Sequence, residues 1–191
     1  MDQQTLSGLL AFFKEAEALK TQHRTASLHN GERESVAEHT WRLCLMAMCL
    51  CRFEKGISLE KVLKLCIIHD LGEADEGDVS AITMEDKAEK TRREERCLFR
   101  LCKTLEPSLR DEIMSLYQEY NDGLTGEAKL TRGLDKLETL IQHNQGKNPE
   151  DFDYAFNLAY GREWTEQSEL LHGLRMLTDE ETKSHLPAAQ R

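Results

Sequence analysis

Apolar residues recur along this chain at intervals of three and four, the period of an α-helix with one face turned inward. Residues 4–22 carry Leu6, Leu9, Leu10, Phe13, Ala16 and Leu19 at that spacing and predict a first amphipathic helix. A polar stretch follows from His23 to Arg33, with Asn30-Gly31 as a turn signal. Ser35-x-x-Glu38 has the form of a capping box and opens a second helix that runs to about Phe53. Its stripe of Val36, Leu43, Met46 and Leu50 keeps a 3-4-3-4 spacing only when His39 is counted, which turns this histidine toward the core. Ser58 caps a third helix, Leu59 to Asp70, whose stripe of Leu59, Val62 and Cys66 continues to His69.

Beyond it the pattern lapses from Leu71 to about Thr83, a loop rich in glycine and acids. Helices are predicted at 85–104 and 107–120, the second with Pro107 in its first turn, before Asn121-Asp122-Gly123 breaks the period. Leu130, Leu134, Leu137 and Ile141 mark a helix at 126–145, with Asp135 at the edge of the stripe, and a last helix is predicted at 163–177. No alternating strand pattern and no internal repeat stands out. The expectation is an all-α bundle of about six to eight helices, one domain over 1–178, followed by a polar, frayed tail at 179–191.

Composition narrows the partners. With 39% hydrophobic and 31% charged residues, the 191-residue chain can build one substantial core under a well-solvated surface. The net charge of −10 argues against nucleic acid or an anionic membrane as the main partner. A small phosphorylated ligand stays compatible, because a metal and a few arginines can reverse the sign inside one cleft. Cys44, Cys49, Cys51, Cys66, Cys97 and Cys102 form no C-x-x-C pair and lie mostly in apolar helical segments. They read as small buried hydrophobes in a reducing cytosol. No basic segment followed by an apolar run opens the chain, and no apolar stretch approaches a bilayer span, which agrees with a cytoplasmic protein.

The chemistry concentrates at His69-Asp70, which ends the apolar run 62–68. An imidazole and a carboxylate there are costly unless compensated, and an anion is badly placed at the negative end of a helix. A cation relieves both misfits. His39, thirty positions earlier, and Asp135, sixty-five after Asp70, each sit on a helix of their own. Two imidazoles and two carboxylates suit a divalent ion such as Mn²⁺, Fe²⁺, Co²⁺, Ni²⁺, Zn²⁺ or Mg²⁺, and leave positions open for water and a substrate oxygen. Each residue alone has an ordinary reading, His39 as a core histidine and Asp135 as a surface acid.

Taken with its flanks, the order His39…His69-Asp70…Asp135 resembles the HD-domain metal-dependent phosphohydrolases. The blocks Glu34-Ser35-Val36-Ala37-Glu38-His39 and His69-Asp70-Leu71-Gly72-Glu73-Ala74-x-x-Gly77-Asp78 are similar to the small branch of 5′-deoxynucleotidase-like and oxetanocin-phosphohydrolase-like proteins, over roughly residues 5–145. The resemblance implies that His39, His69, Asp70 and Asp135 hold one metal. It makes Glu73 the acid beside the dyad that acts on attacking water or leaving group. Asp78 becomes the G-D aspartate near the sugar, and Arg24, fifteen residues before His39, a substrate-binding arginine. Arg33 is a second candidate for the phosphate. Two departures lie on the substrate side: Thr25 follows Arg24 where those enzymes place tryptophan, and Val79 to Thr83 replaces a proline-rich segment. No histidine occurs between Asp70 and Asp135, which favours a mononuclear centre over a dinuclear one.

The resemblance therefore implies a homodimeric phosphomonoesterase acting on a nucleoside or deoxynucleoside 5′-monophosphate, with helices at 85–120 available for its interface. Two other classes remain at this stage, a nucleotide-sensing protein without turnover and a phosphodiesterase. The run Lys87 to Arg96 reads as an ion-paired solvated face, and Trp41 and Trp164 as packing residues, with Trp41 also suited to an interface.

Overall fold

The structure is a computed structural model that describes residues 2–74 and 87–187. Seven helices of ten residues or more build it: α1 (Gln3–Glu15), α2 (Val36–Leu50), α3 (Leu59–Ile68), α4 (Lys87–Leu101), α5 (Pro107–Asp122), α6 (Gly126–Gln145) and α9 (Glu169–His185). Two single-turn helices, α7 (Tyr154–Asn157) and α8 (Arg162–Thr165), lie between α6 and α9. Helix starts follow the side chains that satisfy their free N–H groups. Ser35 Oγ accepts from Glu38 N at 3.2 Å while Glu38 Oε2 accepts from Ser35 N at 2.7 Å, closing the capping box of α2. Ser58 caps α3 and Thr125 caps α6.

The central element is α6. It packs against α2, α3, α5, α8 and α9, and buries residues around most of its circumference. Leu130, Leu134 and Leu137 join Leu43 and Ala47 of α2, Val62 and Cys66 of α3 and Leu171 of α9 in one core. A second core lies among α3, α4 and α5, built on Leu98, Leu101, Cys102, Ile113 and Tyr117, and Leu9 and Phe12 of α1 cover it.

Three features depart from the sequence pattern. The polar stretch from His23 to Arg33 is, with the two residues after it, an antiparallel hairpin, β1 (His23–Ser27) and β2 (Arg33–Ser35), with Gly31 in its turn at φ +89°. Strands of five and three residues are too short to print a period, and this pair is held from outside: Gln142 Nε2 donates to Ser27 O at 2.5 Å and Lys147 N to Leu28 O at 3.0 Å. The stripe on α1 is wider than the face that packs, so Leu6, Leu10 and Phe13 stand exposed while Leu9 and Phe12 are covered. The last helix begins at Glu169, not 163, and continues to His185 instead of fraying from Asp179.

That continuation is held by polar contacts that composition conceals. Arg175, fully buried, binds Asp179 at 2.6 Å and donates to the carbonyls of Asn157, Leu158 and Tyr160. Thr182 donates to Asn144 on α6 at 3.0 Å. No described helix is long and apolar enough to cross a membrane.

Candidate metal centre

Four side chains from three helices meet at one point. His39 projects from the first turns of α2, His69 and Asp70 close the C-terminal end of α3, and Asp135 extends from the middle of α6. His39 Nε2 lies 3.3 Å from His69 Nε2, 3.3 Å from Asp135 Oδ1 and 3.8 Å from Asp70 Oδ2. His69 Nε2 is 3.1 Å from Asp70 Oδ2 and 3.9 Å from Asp135 Oδ1. Donors bound at about 2.1 Å to one ion stand roughly 3.0–3.5 Å apart, so this spacing, slightly open, fits a shared cation. Donor chemistry agrees: two carboxylates, both favoured in their charged form, face one buried point and call for positive charge there.

Each donor is aimed by a partner behind it. His69 Nδ1 bonds the Cys66 carbonyl at 2.7 Å, which turns Nε2 to the centre. His39 Nδ1 bonds Glu138 Oε2. Asp135 receives Tyr120 Oη at 3.0 Å and Lys136 Nζ at 2.8 Å, both on Oδ2, leaving Oδ1 to the imidazoles. Arg24 Nη1 bonds Asp70 Oδ2 at 3.3 Å, Nη2 bonds Thr139 Oγ1 at 3.0 Å and Nε faces Glu34 Oε2 at 3.3 Å.

Burial would raise the pKa of Asp70, but His69, His39 and Arg24 outweigh it and hold the carboxyl well below its ordinary value. Asp135 is held low in the same way, against its burial, by Lys136 and the two histidines. Burial and Arg24 work to lower His39, yet Glu138 and Asp135 prevail and lift it to about 10.

Of the residues singled out in the sequence, His39, His69, Asp70, Asp135 and Arg24 are brought together. Glu73 is buried in the turn that follows the dyad, with Lys90 Nζ 3.5 Å from Oε1. That turn is pressed against α4: a Cβ on Gly72 would stand 2.6 Å from the Glu94 carbonyl oxygen. Asp78 lies outside the described residues. Arg33 is exposed on β2, and the next residue, Glu34, takes the inward position that alternation gives it. Arg33 is not brought to the cluster.

Sequence reasoning passed over Glu34, Arg42, Tyr120, Lys136 and Glu138. Glu138 had a legible signal, since it follows Asp135 by three residues and shares its face of α6. Glu34, His39 and Glu138 also present a set of clustered donors. Here arginines supply the cations: Arg42 binds Glu138 at 2.6 Å and lies 3.8 Å from Glu34, whose other neighbour is Arg24.

Comparison with known proteins identifies the family. A family profile described as HD domain matches residues 16–174. The chain is 35% identical over 162 residues to the 5′-deoxynucleotidase HDDC2 of Dictyostelium discoideum, covering 80% of this chain and 85% of that protein. It is 32% identical over 139 residues to the human 5′-deoxynucleotidase HDDC2, covering 72% and 67%. Among solved structures, a predicted metal-dependent phosphohydrolase from Magnetospirillum magnetotacticum superposes with a TM-score of 0.77 at 29% identity, covering 95% of this chain and 94% of that one. A match across most of the chain, with the four donors falling inside it, makes this protein a member of the HD domain family.

Proposed function

We propose that the protein is a metal-dependent phosphomonoesterase of nucleoside 5′-monophosphates, with a 2′-deoxynucleotide as the first candidate. The observation that carries this reading is the convergence of His39, His69, Asp70 and Asp135 on one point beside Arg24. The relatives' names, 5′-deoxynucleotidase and metal-dependent phosphohydrolase, support the substrate class and the reaction. A divalent ion held by the four donors would supply positive charge for phosphoryl oxygens and acidify water.

The chain's own groups do the rest. Arg24, held by Asp70, Thr139 and Glu34, sets a fixed positive charge beside the cluster, toward which a phosphate would be drawn. Lys136, on the outer oxygen of Asp135, adds a second cation beside the cluster. Glu73, buried one turn after the dyad, would hold a proton for water attack or ester departure. Asp78 carries its role from the G-D motif alone. Positioning and neutralisation of charge account for most of the rate in such phosphoryl transfers.

The expected setting is a cytoplasmic homodimer. Free thiols at all six cysteines support a reducing compartment. Trp41, Leu45 and Met48, 68%, 40% and 55% exposed on the outer face of α2, support a covered surface there. Light scattering of wild type and Trp41→Glu would report the dimer and its loss.

The test of function is phosphate release from a panel of deoxy- and ribonucleoside monophosphates, alongside diester cleavage, with Mn²⁺, Co²⁺ or Mg²⁺ added. Turnover of monophosphates that disappears in His69→Ala and Asp135→Ala, together with bound metal, is the expected result. Nucleotide binding without turnover under every metal would replace the enzyme with a sensor. Cleavage confined to diesters would replace it with a phosphodiesterase.

A further inference from the structure

The two imidazoles of the centre are held in different ways. His69 Nδ1 rests on a backbone carbonyl, whereas His39 Nδ1 rests on the carboxylate of Glu138. Glu138 is fully buried and reaches α2 from α6. Its second oxygen, Oε1, takes Nε of Arg42 at 2.7 Å and Nη2 at 2.6 Å. Arg42 lies one turn after His39 on α2, and its remaining donors are tied to Gln142 Oε1 at 2.6 Å and Gln145 Oε1 at 3.1 Å, both on α6.

We infer that Glu138 and Arg42 are positioning residues that fix the tautomer of His39 so that Nε2 is the metal donor. This inference rests on the metal-centred reading above and concerns only how that site is prepared. A neutral imidazole binds metal through the nitrogen that lacks a proton, so Nδ1 must carry the hydrogen and meet an acceptor. A carboxylate offers acceptors on both sides and can serve Nδ1–H and Arg42 together. Arg42, permanently charged and anchored by two glutamines, keeps Oε1 occupied and leaves Oε2 for His39. Glu34, 3.8 Å from Arg42 and 3.3 Å from Arg24, is the neighbouring carboxylate that would compete for Arg42 were Arg24 not beside it.

The arrangement makes an amide at 138 worse than its size suggests. Glu138→Gln has one oxygen for two claimants. The fixed charge of Arg42 takes it, and the NH₂ turns to Nδ1. His39 must then accept at Nδ1 and carry its proton on Nε2, where metal should bind. Removing Arg42 as well frees the amide oxygen for Nδ1–H. A positioning role therefore requires the second substitution to restore part of what the first destroys, whereas a purely structural role predicts further loss.

The experiment is calorimetric titration of Zn²⁺ into metal-free wild type, Glu138→Gln, Arg42→Met and the double variant, with ring ¹⁵N shifts of His39 in the Zn²⁺-loaded proteins. Glu138→Gln is expected to weaken Zn²⁺ about 10- to 100-fold, and the double variant to recover threefold or more, about the range by which such partners tune metal sites. In wild type the ¹⁵N spectrum should show Nδ1 protonated and Nε2 metal-bound. Wild-type affinity in Glu138→Gln, or Nε2 still metal-bound there with no loss, overturns the inference while leaving the metal centre standing. Failure of wild type to bind Zn²⁺ at one site overturns the reading beneath it. Should the double variant not fold, Glu138→Gln alone, isosteric and compared with wild type by both readouts, decides the matter.

Discussion

The Tyr120 hydroxyl donates to Oδ2 of Asp135 at 3.0 Å and, with Lys136 on the same oxygen, leaves Oδ1 facing the imidazoles. Tyr120 lies between His69, at a ring separation of 5.2 Å, and the guanidinium of Arg132, at 5.1 Å, so its hydroxyl cannot drift from the carboxylate. Tyr120→Phe removes one hydrogen bond to a charged acceptor while Lys136 keeps the same oxygen occupied. Metal affinity should fall by about 3- to 10-fold, the scale of one such bond partly compensated. Competition with a chromophoric chelator measures it, and an unchanged dissociation constant would assign the orientation of Asp135 to Lys136 alone.

Glu73 is buried in the turn that follows His69-Asp70 and is not one of the four donors. Glu73→Ala should retain a full complement of metal by elemental analysis and lose turnover by about two to four orders of magnitude, the usual reach of a general acid or base. Wild-type rates in that variant would return Glu73 to a structural role with Lys90.

Gly72 tests how tightly the turn after the dyad is pressed on α4. A methyl group there meets the Glu94 carbonyl oxygen at 2.6 Å, and neither backbone can yield without moving the dyad or the helix. Gly72→Ala should destabilise the fold by about 1–3 kcal/mol, a melting temperature lower by roughly 3–10 °C. A variant that melts with the wild type would show that the approach is softer than the structure has it.

Burial and the nearby charge of Glu138 raise Glu34 to about 7, above its ordinary 4.5. A carboxyl with a raised folded pKa favours the native state fully below its unfolded pKa, and the benefit is lost as pH rises through the folded value. Glu34→Gln stays neutral throughout. In chelator-treated protein its stability relative to wild type should therefore climb between pH 5 and 8, by up to about 3 kcal/mol in urea unfolding. A difference that stays flat over that window would place the charge of Glu34 elsewhere.

Most long helices were legible because their ends are written in side chains. Ser35 and Glu38, Ser58 and Pro107 mark starts that the structure keeps, and the limits of α6 fall at 126 and 145 as expected. His39 was legible for another reason: it completes a spacing that only a buried residue can complete. Periodicity reports where apolar side chains go and is silent about polar ones that are buried in pairs. Glu138 with Arg42, Arg175 with Asp179 and Thr182 with Asn144 leave no mark on the period, because each partner lies on another element or is itself charged. The hairpin escaped for the same reason, since Ser27 O is satisfied by Gln142, 115 residues away.

The helices α2 and α3 follow each other closely in the chain, whereas α6 begins only at Gly126, and neither α2 with α3 nor α6 alone offers the full set. His39, His69 and Asp70 can cluster once α2 meets α3, but the fourth donor arrives only when α6 has docked. A metal held by all four would be a ligand of the assembled protein, and free metal would then act on the folding equilibrium as well as on catalysis. At a concentration a hundred times the dissociation constant it would add about 2.7 kcal/mol to the native state. The same cation would then be a sentinel of completed folding: chains that have not closed on α6 would hold it with one donor fewer, and chains that have would be kept closed by it.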